Sequence, residues 1–410
     1  MGTRTIRFLD YWIGVPLCLF LTACRFFAGA RTGAPRKILF LKFIEQGATV
    51  LAQDAMSRAT ARVGRDHIFF CVFESNRAIL DLLGTVPPAN IFVIRDRRID
   101  LCLIDFLRAL IAIRQQQVDT VIDMEFFSRA SAIFSFLSGA TIRVGLHRFT
   151  GELPYRGDLM THRVQYNPHM HVSMLYSVLV EAAHGDPAET PMLKVPLAQL
   201  ARRGDPPQPL FRFTPTDAEL QAVRQQLPAS GPGPVVLINP NASDLLPLRK
   251  WDGARFVELA RRILTVYPNA SVVVTGAPSE GPGAARVCAE IGSPRAISLA
   301  GKTTLRELLT LYSLADVLVT NDSGPAHFAA LTPIHTVVLF GPETPRLFGS
   351  LAPATTIIWK ELACSPCVSV FNHRLSPCHN NVCMQEITVA DVYSAVEAAL
   401  PRGATGHTLA

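Results

Sequence analysis

The sequence predicts an α/β protein of two Rossmann-like domains, their parallel sheets facing across a cleft, with an N-terminal hydrophobic helix in front. Three observations carry this. The 410 residues exceed what one core usually supports. A composition of 49% hydrophobic and 18% charged residues calls for a large buried interior. From Lys37 onward, β-rich runs alternate with helical segments, the mark of a sheet covered by crossover helices.

In the first half the strands are KILFLKF from Lys37, IFFCVF from Ile68, NIFVIR from Asn90, TVIDME from Thr120 and TIRVGL from Thr141, with helices starting near Ala48, Asn76, Leu101 and Ser128. These runs do not alternate polar and apolar residues, because a covered parallel sheet buries both faces. Pro187 to Pro234, with RRGDPPQPL and PASGPGP, reads as a linker holding one helix. The second half supplies VVLINP from Val235, SVVVTG from Ser271, the short RAISLAG from Arg295, and the runs Val317 to Val319 and Thr336 to Phe340. Helices FVELARRIL, GAARVCAEI and TLRELLTLYSLA lie between them. The expected division is a membrane-associated segment 1–35, a first domain 36–215 and a second domain 216–400 carrying a cysteine cluster at 364–383. No internal sequence repeat is visible.

Tyr11 to Cys24 is continuously apolar, and Phe26 to Ala30 extends it beyond Arg25. It is short for a span of roughly 20 residues and is interrupted by Gly14 and Pro16. Three readings compete: a signal peptide with a lipoprotein-like box at Leu21-Thr22-Ala23-Cys24, an in-plane membrane anchor, and a helix packed on the body. The in-plane anchor is favoured, with Tyr11 and Trp12 near headgroups and Arg4, Arg7 and Arg25 flanking the run. The net charge of +6 suits acidic small molecules or an anionic membrane surface. Without a basic patch interleaved with aromatics, nucleic acid is not an expected partner.

The stretch VLVTNDSGPAHFAALTPIHTVVLFGPETP, Val317 to Pro345, holds the strongest functional signal. Asn321, Asp322, Ser323 and Gly324 fall between a strand end and a helix start, where backbone N–H groups attract phosphate or carboxylate. Pro325 suits the first helical turn, Gly324 admits a ligand to the backbone, and His327 lies one turn further on. The bland reading is an ordinary turn with Asp322 as the helix cap. Other strand ends in this half carry suitable groups. Asn241 and Ser243 precede the cations Arg249 and Lys250, which fit diphosphate oxygens. Gly276 permits close approach, Glu280 can accept from a ribose or base, and Gly301 offers backbone for a base to lie against. In the first half, Asp123, Glu125 and Arg129 are candidates for meeting a charged acceptor.

These residues in this order resemble glycosyltransferase family 9, the heptosyltransferases that use ADP-heptose in lipopolysaccharide core assembly. NPNASDLLPLRKW, VVVTGAPSE, LAGKTTLRELLTLYSLADVLVTNDSGPAHFAA and VVLFGPETP carry the likeness, which runs in outline from Lys37 to Ala399. The resemblance implies a GT-B fold, acceptor on the N-terminal domain, donor on the C-terminal one, and inverting transfer with no required metal cofactor. It implies that Asp322, Gly324 and His327 form the donor-binding turn, Arg249 or Lys250 the diphosphate cation, and Glu280 the ribose partner. The implied partners are a nucleotide-sugar donor, a glycolipid or lipopolysaccharide-core acceptor and a membrane surface, in the cytoplasm and peripheral on the inner membrane.

One departure stands out. The family's first βα loop usually ends in Gly-Asp, with the Asp as base, whereas KFIEQGATV has Ala48 there. Glu45 on the same loop is the expected substitute, ahead of Asp54, Asp123 and Glu125. Two other function classes remain open: a sugar-nucleotide epimerase on a similar scaffold, and an exported glycan-binding lipoprotein.

Four of the nine cysteines, Cys364, Cys367, Cys378 and Cys383, are spaced to close a structural zinc site, with His373 and His379 as alternative ligands. Their competing reading is a reduced structural loop. Any such metal would sit apart from the transfer chemistry.

Overall fold

A computed structural model describes residues 10–25, 33–149, 151, 153–202, 211–228, 233–242, 246–372 and 374–400. Arg4, Arg7, Ser243, His373 and the RRGDPPQPL and PASGPGP tracts lie wholly or mostly outside them. The chain divides into two compact units, Met1–Leu210 with Val370–His373, and Phe211–Ser369 with Arg374–Ala410.

Unit 1 is built on β1 (Ile38–Leu41), β2 (Ile68–Phe73), β3 (Ile91–Ile94), β4 (Thr120–Asp123), β5 (Ile142–His147) and β6 (His162–Gln165). They form one sheet in the order β3-β2-β1-β4-β5-β6, every pair parallel. Unit 2 holds β7 (Val235–Asn239), β8 (Ser271–Val274), β9 (Ala296–Ser298), β10 (Val317–Asn321), β11 (His335–Phe340) and β12 (Thr355–Trp359). Their order is β12-β11-β10-β7-β8-β9, again all parallel. The two sheets are wound identically although their sequences show no repeat.

This winding fixes where a ligand can enter. From β1 the chain moves one way across the sheet and from β4 the other way, so the loops after these adjacent strands diverge and leave a crevice. The pair β7 and β10 does the same in unit 2. β1 and β4 are buried at every position, as strands covered on both faces must be. Phe43, at the mouth of the β1/β4 crevice, packs edge-on against Phe106 and Phe134, with ring centroids 5.5 and 5.8 Å away.

Two strands were not expected from the sequence. His-Arg-Val-Gln of β6 has one apolar residue in four, and β12 is an edge strand whose residues are only partly buried. Edge position removes the apolar signal by which a strand is read.

The N-terminal apolar run forms a helix, Gly14–Arg25. Cys18 and Leu21 pack against Ala132, Leu159 and Met160, while Asp10 pairs with Arg129. No helix among the described residues is long and apolar enough to cross a membrane.

Candidate functional site

The loops at the carboxyl ends of β7, β8 and β10 are tied together by polar side chains, and the loop after β9 joins them through backbone hydrogen bonds. Asn321, fully buried at the end of β10, accepts from the Trp251 backbone N–H at 3.0 Å and donates to the Asn241 carbonyl at 3.1 Å. One amide thereby bridges the β7/β10 crevice. Trp251 is held in turn by its indole N–H, which donates to the Ile387 carbonyl at 2.9 Å. Asn241 reaches β8 through a bond to the Thr275 carbonyl at 3.5 Å. A Cβ on Gly276 would lie 2.8 Å from Asn241 Nδ2 and 2.9 Å from Glu280 Oε2, so any larger residue would push these two side-chain ends aside. Gly301 has φ +70°, and its N–H donates to the Gly276 carbonyl at 2.9 Å. Glu280 folds back to accept from the Ala277 N–H at 2.6 Å, capping its own turn.

Asp322 does not cap the following helix. The cap is Ser323, with extended backbone and no side-chain capping bond; its hydroxyl donates to the Asn321 carbonyl at 3.2 Å. The helix Gly324–Ala329 is only six residues long, so its dipole is small and any anion would be held mainly by individual N–H groups. His327 is buried on it.

Asp322 instead faces a guanidinium. Arg249 Nη1 stands 3.6 Å from Asp322 Oδ2 and 3.4 Å from Glu343 Oε2, so one cation serves two buried carboxylates. Glu343 lies in the GPETP segment and was not singled out from the sequence, since a Glu in a turn after β11 carries no pattern of its own. Arg374 adds a weaker contact, Nε to Glu343 Oε1 at 3.9 Å. Lys250 lies outside this group, with its carbonyl accepting from Asn381 Nδ2 at 3.1 Å. Arg249 Nε, Asp322 Oδ2 and Glu343 Oε1 are buried and find no hydrogen-bond partner among the described residues. Three such atoms in one crevice make it the candidate place for a polar ligand.

Burial pushes the Asp322 carboxyl up to about 7; Arg249 opposes this and the charge on Glu343 adds to it. An acid raised from 3.8 to about 7 holds its proton in the folded state over a range where the unfolded chain has lost it. Stability of unit 2 is therefore expected to fall as pH rises through that window and to level off above it. Urea unfolding followed across pH should show this slope, and Asp322→Asn should remove it; an unchanged slope in the variant would refute the assignment.

In unit 1 the equivalent crevice also holds buried charge. Lys42 Nζ is 2.9 Å from Glu125 Oε2 and 3.1 Å from Glu45 Oε2. The other oxygen of Glu125 accepts from the Phe43 N–H at 2.7 Å. Asp123 accepts from Ser131 Oγ at 2.8 Å and pairs with Arg156. The acceptor candidates Asp123, Glu125 and Arg129 are thus all buried and engaged within the fold, Arg129 beneath the N-terminal helix. Lys42, inside the run KILFLKF, and Arg156, in GELPYRGDLM, escaped sequence reasoning, because a lone cation in such a segment carries no pattern of its own. Glu45 differs from the other two carboxylates in keeping 28% of its side chain exposed. It sits at φ +69°, a left-handed conformation rarely taken by a non-glycine residue. Asp54 is taken up by Arg58 and Ser177, each at 2.7 Å.

Cys364, Cys378 and Cys383 are free thiols, and Cys367 Sγ accepts from Ser376 Oγ at 3.2 Å. Cys364 is exposed, whereas Cys383 is buried in the core with Met384 and Ile387. Burial, with smaller contributions from Cys367, Cys378 and Cys364, pushes the Cys383 thiol up to about 11. Among the described residues no group of three or more His, Cys, Asp or Glu side chains is placed to hold a metal ion, so the zinc expectation finds no ligand geometry here.

The sequence model of Glycosyltransferase family 9 (heptosyltransferase) matches residues 107–375, more than half of the chain. The chain belongs to glycosyltransferase family 9. A curated relative of this family 9 chain, lipooligosaccharide heptosyltransferase 2 of Campylobacter jejuni, is 28% identical over 160 residues, 37% of this chain and 46% of the relative. Lipopolysaccharide heptosyltransferase 2 of Escherichia coli is 26% identical over 159 residues, 38% of this chain and 45% of the relative. The chain spans about half the length of the curated relatives it matches. Among solved structures, the E. coli ADP-heptose lipopolysaccharide heptosyltransferase II superposes with a TM-score of 0.66 at 20% identity, covering 88% of this chain and 98% of that one. At this identity the likeness shows the fold alone, the GT-B class implied by the sequence.

Proposed function

We propose that this family 9 chain is an inverting glycosyltransferase moving a heptose or related sugar from a nucleotide diphosphate sugar, ADP-heptose or a close analogue, to a lipid-linked saccharide of the lipopolysaccharide core. It works in the cytoplasm, peripheral on the inner membrane. The observation that carries this reading is the mixed set of buried atoms without hydrogen bonds beside β7 and β10: two carboxylate oxygens and one guanidinium nitrogen. A ligand satisfying both kinds must bring donors and acceptors together, as sugar hydroxyls joined to a diphosphate do. Each such buried atom is unfavourable by about 1–3 kcal/mol when left unpaired, so filling the crevice relieves a standing penalty.

In the proposed reaction the acceptor hydroxyl loses its proton to Glu45 as its oxygen attacks the anomeric carbon from the face opposite the diphosphate. The bond to the diphosphate breaks, and the charge left on it is met by Arg249 and the N–H groups at Ser323 and Gly324. Glu45→Gln should lower turnover by about 10²–10⁴-fold while donor binding persists. The check is product formation by purified protein from a panel of nucleotide sugars with a saccharide acceptor, alongside donor-induced thermal stabilisation. Conversion of the donor without any acceptor would mean an epimerase. Failure of every nucleotide sugar to bind would remove the reading altogether.

A further inference from the structure

The helix Ile99–Gln115 breaks the usual rule for a surface helix. Its inner side is conventional, with Ala109 and Ile113 joining Leu39, Val121 and Phe134 in the core. Its outer side is also apolar: Ile99, Leu103, Leu107 and Ile111 recur every fourth residue, and Leu103 and Leu107 are 63% and 60% exposed. Nothing in the first half's chemistry uses this stripe. Phe134, on the helix Arg129–Leu137, packs against the inner side of Ile99–Gln115, and Ala132 on that same helix carries the N-terminal helix. The N-terminal helix is likewise apolar outward, with Trp12 just before it and Phe20 within it 62% and 64% exposed. Two exposed apolar faces thus flank one helix on one side of the unit 1 sheet.

Basic groups border both. Arg98 and Arg108 are 70% and 71% exposed at the start and in the middle of the outer stripe, Arg97 is exposed beside them, and Arg25 ends the N-terminal helix. Acidic groups lie among them: Arg98 pairs with Asp100, Arg108 with Asp105 and Arg25 with Asp158, while Asp96 is exposed beside Arg97, whose charge no acidic side chain among the described residues is shown to meet.

We propose that the outer stripe of Ile99–Gln115 and the exposed face of the N-terminal helix together dock unit 1 onto an anionic lipid bilayer. The apolar side chains enter the acyl boundary, Trp12 lies at headgroup level, and the arginines meet lipid phosphates. A second copy fits less well, since a two-fold contact centred on the stripe would bring Arg108 against its own counterpart. The inference deepens the reading of a lipid-linked acceptor, but binding to vesicles is measured with neither donor nor acceptor present, so either can fail alone.

The test is sedimentation of the full chain with vesicles of phosphatidylglycerol and phosphatidylethanolamine, and with phosphatidylcholine alone. The expected result is salt-sensitive binding to the anionic vesicles, weakened at least about tenfold by Leu103→Glu with Leu107→Glu, given what burying each leucine contributes. Both positions are exposed, so the variant should fold, and unchanged transfer to a soluble acceptor saccharide confirms it. Phe20→Glu should weaken binding separately. No binding to either vesicle would overturn the proposal, as would binding that Leu103→Glu with Leu107→Glu leaves intact, or a solution dimer that this variant disperses.

Discussion

Arg249→Met is expected to lower kcat/KM by about 10²–10³-fold, the usual effect of removing one preorganised group that meets charge in a transition state. The argument rests on its place between Asp322 and Glu343, at 3.6 and 3.4 Å. Without the guanidinium the two carboxylates face each other in a buried crevice, and Asp322, already pushed up to about 7, would hold its proton more firmly still. A loss of stability would therefore accompany the loss of activity, and the two must be separated. Adding Glu343→Leu to Arg249→Met removes one orphaned charge and should recover much of the unfolding midpoint without recovering turnover. Arg249→Lys keeps the charge but not the planar fork, so it should fall between wild type and Arg249→Met. Turnover that returns together with stability would make Arg249 a structural ion-pair partner only.

That arrangement also shows where sequence reasoning stops. The elements were legible because strands such as Ile68–Phe73 and Val235–Asn239 are buried on both faces and so appear as unbroken apolar runs. β6 and β12, mostly polar or at an edge, gave no such signal. Asn321, Asp322, Asn241, Gly276 and Gly301 were recognisable because they stand at strand ends in recurring motifs, and the structure brings them to one crevice. Glu343 and Arg156 were not, because their significance comes only from what the fold places beside them. The same holds for the acceptor candidates: a carboxylate after β4 looks open in sequence, yet Asp123 and Glu125 are consumed by Ser131, Arg156, Lys42 and the backbone of Phe43. The turn expected to bind an anion has a different character in the structure. It is a short helix start beside an acid-rich group, better suited to a ligand that carries hydroxyls as well as phosphate.

Lys42→Met should be the most destabilising of the substitutions considered, by about 3–5 kcal/mol, because it leaves a buried carboxylate without its cation. Lys42 is 1% exposed; burial favours loss of its proton, but Glu125 and Glu45 outweigh that and hold it well above the usual lysine range. Glu125 spends one oxygen on Lys42 and the other on the Phe43 N–H, so this pair fixes the loop that leaves β1 and carries Glu45. Against a typical total of about 5–15 kcal/mol, such a loss lowers the urea midpoint severely. Glu125→Gln in the Lys42→Met background removes the stranded charge and should restore part of it, whereas two independent sites would simply add their costs. Glu45 reports on the same loop. With Lys42 gone its carboxylate has lost its ammonium partner, and its left-handed backbone, held by the surrounding loop, has less to keep it there. The doubly substituted protein should thus fold better than Lys42→Met yet still transfer poorly, and recovery of full turnover in it would show that Glu45 needs no such positioning.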